Sequence, residues 1–181
     1  MESISSQLRQ QKHPEKILEI LSKAGFNSHY YENNKVLPQS GYPYGRNILH
    51  SDLDCEIMLA SWTPNLPCFP HNHGHSEGWI FYLKGDFKET IYEWDSGELN
   101  QVGVEFHQEN SHTCMNNDFT HSCMASKEGL SLHIYFPRIQ SMRVHDLTNR
   151  RTLVVSDNCG AWIPEFKESI KEEFSWPVKI S

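Results

Sequence analysis

Two histidines lie two residues apart in the segment Pro70-His71-Asn72-His73, directly before the apolar run GWIFYLKG. In an extended segment, residues i and i+2 project to the same face, so both imidazoles can reach one metal ion. Imidazole suits zinc, copper, iron and nickel, whereas magnesium and calcium prefer oxygen ligands. Histidines with this spacing are also common on exposed strands that bind no metal. The pair by itself leaves both interpretations open.

A third histidine, His121, follows a polar turn further along the chain. If the chain forms a barrel, the segments that carry His71, His73 and His121 can meet. Two ligands close in sequence and one remote ligand are a common way to build an open metal site with positions left for a substrate. Taken alone, His121 is equally compatible with a core or surface histidine. We predict that the three histidines together bind one metal ion.

A second polar pattern lies in the run Ser131-Leu132-His133-Ile134-Tyr135. With the period of two of a strand, Ser131, His133 and Tyr135 share one face, while the apolar residues share the other. An exposed strand face would account for this pattern without any chemistry. If the polar face lines a cavity, the three side chains form a hydrogen-bonded relay, in which Ser131 fixes the His133 tautomer and His133 orients the Tyr135 hydroxyl.

The segments that carry these side chains are predicted to form short strands. Apolar or alternating runs are bounded by turn residues and comprise NILHS, CEIMLASW, GWIFYLKG, KETIYEW, VGVEF, SLHIYFP and TLVVS. Their recurrence at about ten residues favours an antiparallel sandwich or barrel over βαβ units. Asp95-Ser96-Gly97, between two of these runs, predicts a hairpin turn.

The remaining segments complete one all-β domain over residues 1–181. Residues 1–25 predict a helical extension, because apolar residues recur with a broken helical period and Gly25 can end the helix. Residues 27–45 predict an irregular connection, and the tail from Pro164 predicts a short helix. The barrel is expected at about 40–160.

The composition excludes several classes of partner. The formal net charge of −7 argues against nucleic acid, which would need a basic face. No apolar run approaches the ~20 residues of a membrane helix, and the first residues lack the apolar core of a signal peptide. The five cysteines form no CxxC pair and favour free thiols in a reducing compartment. We therefore expect a cytoplasmic protein without nucleic-acid or membrane partners.

Together, these patterns resemble the cysteine dioxygenase family of thiol dioxygenases within the cupins. The first cupin motif is similar to His71-x-His73 with Gly85 at the end of the following strand, and the second-motif histidine corresponds to His121. The family's Ser-x-His-x-Tyr relay matches the run that ends at Tyr135. The resemblance implies a cupin β-barrel, also described as a double-stranded β-helix or jelly roll.

Two further elements extend the resemblance over roughly residues 40–140. Tyr44-Gly45-Arg46-Asn47 is similar to the family's Tyr-x-Arg-Asn element, in which the arginine pairs with the substrate carboxylate and the tyrosine supports it. Pro137 lies where the family has a proline after a cis peptide bond.

The resemblance also implies the reaction. Fe²⁺ on three neutral imidazoles would accept an anionic thiolate ligand, and Arg46, supported by Tyr44, would pair with the substrate carboxylate. Both atoms of dioxygen would be added to the sulfur of L-cysteine, which gives cysteine sulfinic acid. Tyr135, oriented by His133 and Ser131, would position the substrate or the oxygen. Family members are often monomers, so a monomer is expected.

Two departures from the family pattern qualify the choice of substrate. Mammalian members have a cysteine at the position of Gly78, joined by a thioether to the relay tyrosine, so we expect Tyr135 to be unmodified, as in many bacterial members. Met142 replaces a cysteine of the cysteine-specific enzymes, which weakens the case for strict L-cysteine selectivity. Arg46 favours an amino-acid thiol, because enzymes that act on 3-mercaptopropionate typically have glutamine there.

Three alternatives remain open at this point. The enzyme could oxidise 3-mercaptopropionate or another small thiol. The protein could be a non-catalytic cupin that binds a metal or a small acid. It could also be an isomerase or hydrolase that uses zinc or manganese, in which case Glu77 would serve as a carboxylate ligand.

Overall fold

The computed structural model of the protein describes residues 3–117 and 119–177. The helices in these ranges are α1 (Ile4–Arg9), α2 (Pro14–Lys23), α3 (Ser28–Asn34) and a 3₁₀ helix (Lys167–Ser169). The strands are β1 (Tyr44–Ser51), β2 (Glu56–Trp62), β3 (His71–Asn72), β4 (Glu77–Lys84), β5 (Phe87–Asp95), β6 (Glu98–His107), β7 (His112–Met115), β8 (Thr120–Ala125), β9 (Gly129–Phe136), β10 (Arg143–Asp146), β11 (Arg151–Val155) and β12 (Ile170–Ser175).

The strands form two antiparallel sheets that enclose the main core. One sheet has the order β1-β2-β9-β4-β7, and the other has the order β12-β11-β10-β3-β8-β5-β6. Apolar side chains from both sheets, among them Met58, Ile80, Phe87 and Val144, pack together in the space between them. The predicted all-β architecture with helices at its amino-terminal end is confirmed. That residues 1–181 form a single domain stays a prediction.

The hairpin between β5 and β6 follows from its turn residues. β5 ends at Asp95 and β6 begins at Glu98, as the sequence predicts. Ser96 and Gly97 have φ angles of +51° and +79°. Positive φ at both central residues defines the turn type that matches the twist of paired strands, and glycine adopts it without steric cost.

The amino-terminal helices cover the outer face of the five-stranded sheet. Leu8, Ile17 and Leu21 are fully buried there, against apolar side chains of β2, β4 and β9. The predicted helical segment contains two helices, because Pro14 starts a new helix at a position where its missing N–H is harmless. In the described ranges, no helix has both the length and the apolar character needed to cross a bilayer.

Two predictions of local structure were only partly correct. Residues 27–45 contain α3, whose first turn is capped by the Asn27 side chain accepting a hydrogen bond from the Tyr30 N–H at 3.1 Å. Within residues 165–177, the tail contains the short 3₁₀ helix, followed by β12 paired with β11. Its charged and apolar residues alternate with the period of a strand, which explains why it pairs with a sheet edge.

Candidate active site

The structure brings together the three histidines that the sequence singled out. β3 pairs with β8 so that His71 lies opposite His121, with ring centroids 4.6 Å apart. His73 follows β3, and its ring centroid lies 4.9 Å from that of His71 and 5.1 Å from that of His121. All three residues are buried, and one nitrogen from each lies within 4.8 Å of the others.

The hydrogen bonds of these imidazoles leave nitrogens free for a metal ion. The Nδ1 atom of His71 hydrogen-bonds with the Phe69 carbonyl at 3.0 Å, and that of His121 with the Glu89 carboxylate. Among the described residues, His121 Nε2 and His73 Nδ1 are buried and have no hydrogen-bond partner. A buried polar nitrogen without a hydrogen-bond partner destabilises the fold unless a ligand or an ion binds it. This donor set therefore fits a metal ion.

Burial keeps the imidazoles of His71 and His73 neutral. It lowers the pKa of His71 well below its ordinary value, and the neighbouring His121 lowers it further. The pKa of His73 is likewise lowered well below its ordinary value, first by burial and then by His71. Only a neutral imidazole has a free lone pair, so these residues are ready to bind a metal without losing a proton.

Glu89 orients His121, although no sequence pattern had singled it out. Its carboxylate is fully buried and accepts hydrogen bonds from His121 Nδ1 and, at 2.6 Å, from His107 Nε2. Burial alone would raise the pKa of Glu89, but these two bonds lower it to about 2. The ionised carboxylate fixes the proton of His121 on Nδ1 and leaves Nε2 free. Glu89 lies two residues after Phe87 in β5, so its side chain projects to the same side as that core residue. A carboxylate at such a position is the sequence feature that could have identified it.

The predicted relay forms along the inner face of β9. Ser131 Oγ lies 2.7 Å from His133 Nε2, and His133 Nδ1 lies 2.9 Å from the Tyr135 hydroxyl. Trp62 extends this chain, because its indole N–H donates to Ser131 Oγ at 2.8 Å. No sequence pattern had predicted a place for Trp62 in the site.

The contact with Trp62 sets a direction for the hydrogen bonds. The indole N–H only donates, so Ser131 accepts from it and directs its own proton to His133 Nε2. Burial lowers the pKa of His133 to about 3, so its ring is neutral and carries its proton on Nδ1, from which it donates to Tyr135. The Tyr135 proton is then free to be donated into the site, and the ring centroid of Tyr135 lies 5.0 Å from that of His73.

Two of the predicted metal-binding positions and both predicted substrate-binding positions line one pocket. Its wall includes Tyr44, Arg46, His71, His73, Tyr135 and Met142. The segment after β11 forms another part of this wall: Arg46 Nη1 donates to the Asp157 carbonyl at 2.9 Å, and the Ala161 N–H donates to the Tyr44 hydroxyl at 2.7 Å. The two residues expected to recognise the substrate thus also fix this segment.

Arg46 has a carboxylate partner that the sequence analysis did not identify. Its Nη2 atom lies 3.0 Å from Oε1 of Glu56, and both side chains are largely buried. Burial raises the pKa of Glu56, while the charge of Arg46 opposes this rise. Glu56 lies in the same strand phase as Met58, which is part of the core between the sheets. A charged residue at an apolar position of a strand was the available signal.

Several residues close in sequence to these histidines lie outside the metal cluster. His75 is exposed, because the chain turns at Gly74, which has a φ of +65°. Glu77 is also exposed and lies outside the three-histidine group, which removes the basis for a site with a carboxylate ligand there. Cys68 is buried and its thiol is free. The peptide bond between Phe136 and Pro137 is cis, as the resemblance predicted.

Sequence comparison identifies a family that the chain matches. Residues 10–148 match the profile of the family described as "Cysteine dioxygenase type I". The chain is 26% identical over 114 residues to a protein named "Cysteine dioxygenase type 1" from Danio rerio. This match covers 58% of the chain and spans only 57% of the length of that relative.

Structural comparison shows the fold. A protein with a double-stranded beta-helix domain from Klebsiella pneumoniae subsp. pneumoniae MGH 78578 matches with a TM-score of 0.53 at 13% identity, over 63% of this chain and 87% of that one. Peruvianin-I, a cysteine peptidase from Thevetia peruviana latex, matches with a TM-score of 0.50 at 8% identity. The match covers 61% of this chain and 72% of that one. At such identities the likeness concerns the fold alone. The predicted cupin-type, double-stranded β-helix fold is confirmed.

Proposed function

The chain belongs to the cysteine dioxygenase type I family, and on this premise we propose that it oxidises L-cysteine to cysteine sulfinic acid with dioxygen. The observation that carries the proposal is a pocket lined by Arg46, Tyr135 and two of the three clustered histidines, His71 and His73. A ferrous ion held by the histidines would bind the thiolate and activate dioxygen. The family supports iron, and the all-imidazole donor set is compatible with it.

The protein's own residues account for substrate binding. The guanidinium of Arg46 can pair with the α-carboxylate of the substrate, and the hydroxyl of Tyr44 lies in the same wall. The neutral imidazoles of His71 and His73 leave the charge of a divalent ion uncompensated, which favours an anionic thiolate over a neutral ligand.

The relay accounts for proton placement. Trp62, Ser131 and His133 hold the Tyr135 oxygen as an acceptor, so its proton is presented to the pocket. Burial raises the pKa of Tyr135 well above its ordinary value, which keeps this proton on the hydroxyl. A fixed donor can stabilise negative charge that develops on the oxygen or the substrate.

The net reaction balances without an external reductant. A thiolate and dioxygen give a sulfinate: two sulfur–oxygen bonds form, the oxygen–oxygen bond breaks, and the electrons that sulfur loses are those that dioxygen gains. The proposal therefore needs no second cofactor. A cytoplasmic location and a monomeric state stay predictions.

The test is oxygen consumption by the iron-loaded protein with L-cysteine and, separately, with 3-mercaptopropionate, combined with quantification of the sulfinate. We expect one dioxygen consumed per cysteine sulfinate formed. A preference for 3-mercaptopropionate would retain the reaction and replace the substrate. No uptake with either thiol, in protein shown to contain iron, would contradict the proposal.

A further inference from the structure

Each nitrogen of the Arg46 guanidinium already has one hydrogen-bond partner within the protein. Nη2 contacts the Glu56 carboxylate at 3.0 Å, Nη1 donates to the Asp157 carbonyl at 2.9 Å, and Nε donates to the Met58 sulfur at 3.2 Å. The side chain of Arg46 is 13% exposed and that of Glu56 is 7% exposed. An arginine that is to bind a substrate carboxylate thus already holds another carboxylate.

Glu56 lies inside the fold beside the relay. It is opposite Ser51 in the β1–β2 pair and opposite Tyr135 in the β2–β9 pair. The charged groups that act on it are Arg46, Arg138 and Asp157. Arg138 has a buried Nε without a hydrogen-bond partner in the described part of the chain, so it offers positive charge near Glu56 but does not replace Arg46 as its partner.

We propose that Glu56 is a specificity-determining residue that competes with the substrate carboxylate for Arg46, and so weakens the preference for thiols with an α-carboxylate over aminothiols without one. This inference rests on the proposed function, since it concerns substrate binding in the same pocket. Two carboxylates at one buried guanidinium repel each other. If the substrate displaces Glu56 from Arg46, its own binding free energy must also offset the charge-assisted hydrogen bond that Glu56 loses.

A carboxylate-free aminothiol does not meet this competition. Cysteamine has the thiol and amine of L-cysteine and differs from it by the missing carboxylate. It can leave the pair of Arg46 and Glu56 intact when it binds. The ratio of the dissociation constants of the two thiols therefore reports on the competition at Arg46.

The alternative is that Glu56 only holds Arg46 in the orientation that the substrate needs. The two roles predict opposite effects of Glu56→Gln, a change that removes the charge and retains the shape. If Glu56 competes, L-cysteine binds more tightly to the variant. If Glu56 positions Arg46, L-cysteine binds more weakly.

The test is anaerobic titration calorimetry of the iron-loaded protein with L-cysteine and with cysteamine. We expect Glu56→Gln to lower the dissociation constant of L-cysteine about tenfold and to leave that of cysteamine unchanged. Glu77→Gln, which neutralises an exposed glutamate outside the pocket, is the matched control and should change neither. Unchanged or weaker binding of L-cysteine by Glu56→Gln would overturn the proposal.

Two further measurements keep the result interpretable. In an Arg46→Gln background, Glu56→Gln should no longer tighten L-cysteine binding, because the group for which the carboxylates compete is gone. Oxygen uptake is followed separately on the same samples. Thiol binding without sulfinate formation would contradict the proposed reaction, while the ratio of dissociation constants would still decide the role of Glu56.

Discussion

Gly78 on β4 lies directly opposite Tyr135 on β9. A Cβ atom at Gly78 would lie 1.9 Å from the backbone oxygen of Ile134 and 3.1 Å from the Cα atom of Tyr135. Both are backbone atoms of a buried strand, so they cannot rotate away. The position that carries the cross-linking cysteine in mammalian relatives thus has no room for a side chain here unless β4 and β9 move apart.

Replacement of Gly78 by alanine should destabilise the fold. We expect Gly78→Ala to lower the free energy of unfolding by about 1–3 kcal/mol, as other overpacking substitutions do. Urea denaturation measures this change. Gly103→Ala is the matched control in β6, because the nearest atom to its added Cβ would be a flexible Ile91 side-chain carbon at 3.6 Å. Equal effects of the two substitutions would contradict the steric explanation.

Loss of one histidine of the cluster should abolish tight metal binding. His121→Ala removes one of three buried nitrogens, and we expect iron affinity to fall by more than about tenfold. Iron content after dialysis against a weak chelator measures the loss. His75→Ala removes an exposed histidine close to His73 in sequence and should retain iron as the unmodified protein does. Full iron retention by His121→Ala would remove His121 from the ligand set.

Neutralising Glu89 should weaken the metal site without removing a ligand. Glu89→Gln takes away the charged acceptor that fixes the proton of His121 on Nδ1, and we expect iron affinity to fall about 10–100-fold. Competition with a chelator of known affinity gives the dissociation constant. Glu93→Gln changes an exposed glutamate of the same strand and serves as the control. If both variants bind iron equally well, Glu89 does not orient His121.

Removal of the Tyr135 hydroxyl should slow turnover and spare iron binding. We expect Tyr135→Phe to lower kcat about 100-fold, because the relay then ends without a donor to the pocket. Steady-state oxygen uptake and bound iron are measured on the same preparation. Tyr82→Phe is the control: the buried Tyr82 hydroxyl has no hydrogen-bond partner in the ranges the structure describes, so its loss should be neutral or stabilising. A Tyr135→Phe enzyme with normal kcat would leave the relay without a role.

Acid should destabilise the metal-free protein through His145. Burial, assisted by Arg143, lowers the pKa of His145 to about 4, below the 6.5 of a free imidazole. As the pH falls from 6.5 towards 4, the unfolded chain gains this proton and the folded chain does not, so stability is lost. Between pH 7 and pH 4 the loss from this residue is about 3 kcal/mol.

A variant isolates this contribution from those of the other buried histidines. His145→Gln can still hydrogen-bond with Thr152, the present partner of His145, but it cannot titrate. Urea denaturation at several pH values should show a shallower loss of stability for His145→Gln than for the unmodified metal-free protein. His75→Gln, at an exposed position, should follow the unmodified protein. Parallel curves for all three proteins would exclude His145 as the cause.

Patterns within one strand were predictable from the sequence. Ser131, His133 and Tyr135 share a face because strand geometry alone determines the side on which each residue projects. The hairpin at Ser96 and Gly97 was equally predictable, since it depends on residues that are neighbours in the chain.

Relationships between strands were not predictable from local patterns. β3 has only two residues, and its pairing with β8 sets His71 opposite His121 through contacts between remote parts of the chain. Glu56 and Glu89 are charged residues at apolar positions of their strands, but the local pattern does not identify their partners. Only the arrangement of the sheets shows that each carboxylate is buried against a basic or imidazole partner.

Strand β9 has no side that faces solvent. Ser131, His133 and Tyr135 project into the site, while Leu132 and Ile134 are fully buried on the side covered by the amino-terminal helices. Insertion or deletion of one residue within the strand would exchange the two sets and place aliphatic side chains where the relay belongs. This strand can therefore diverge between relatives by substitution but not by a change in length, and insertions that survive selection are confined to the loops at its ends.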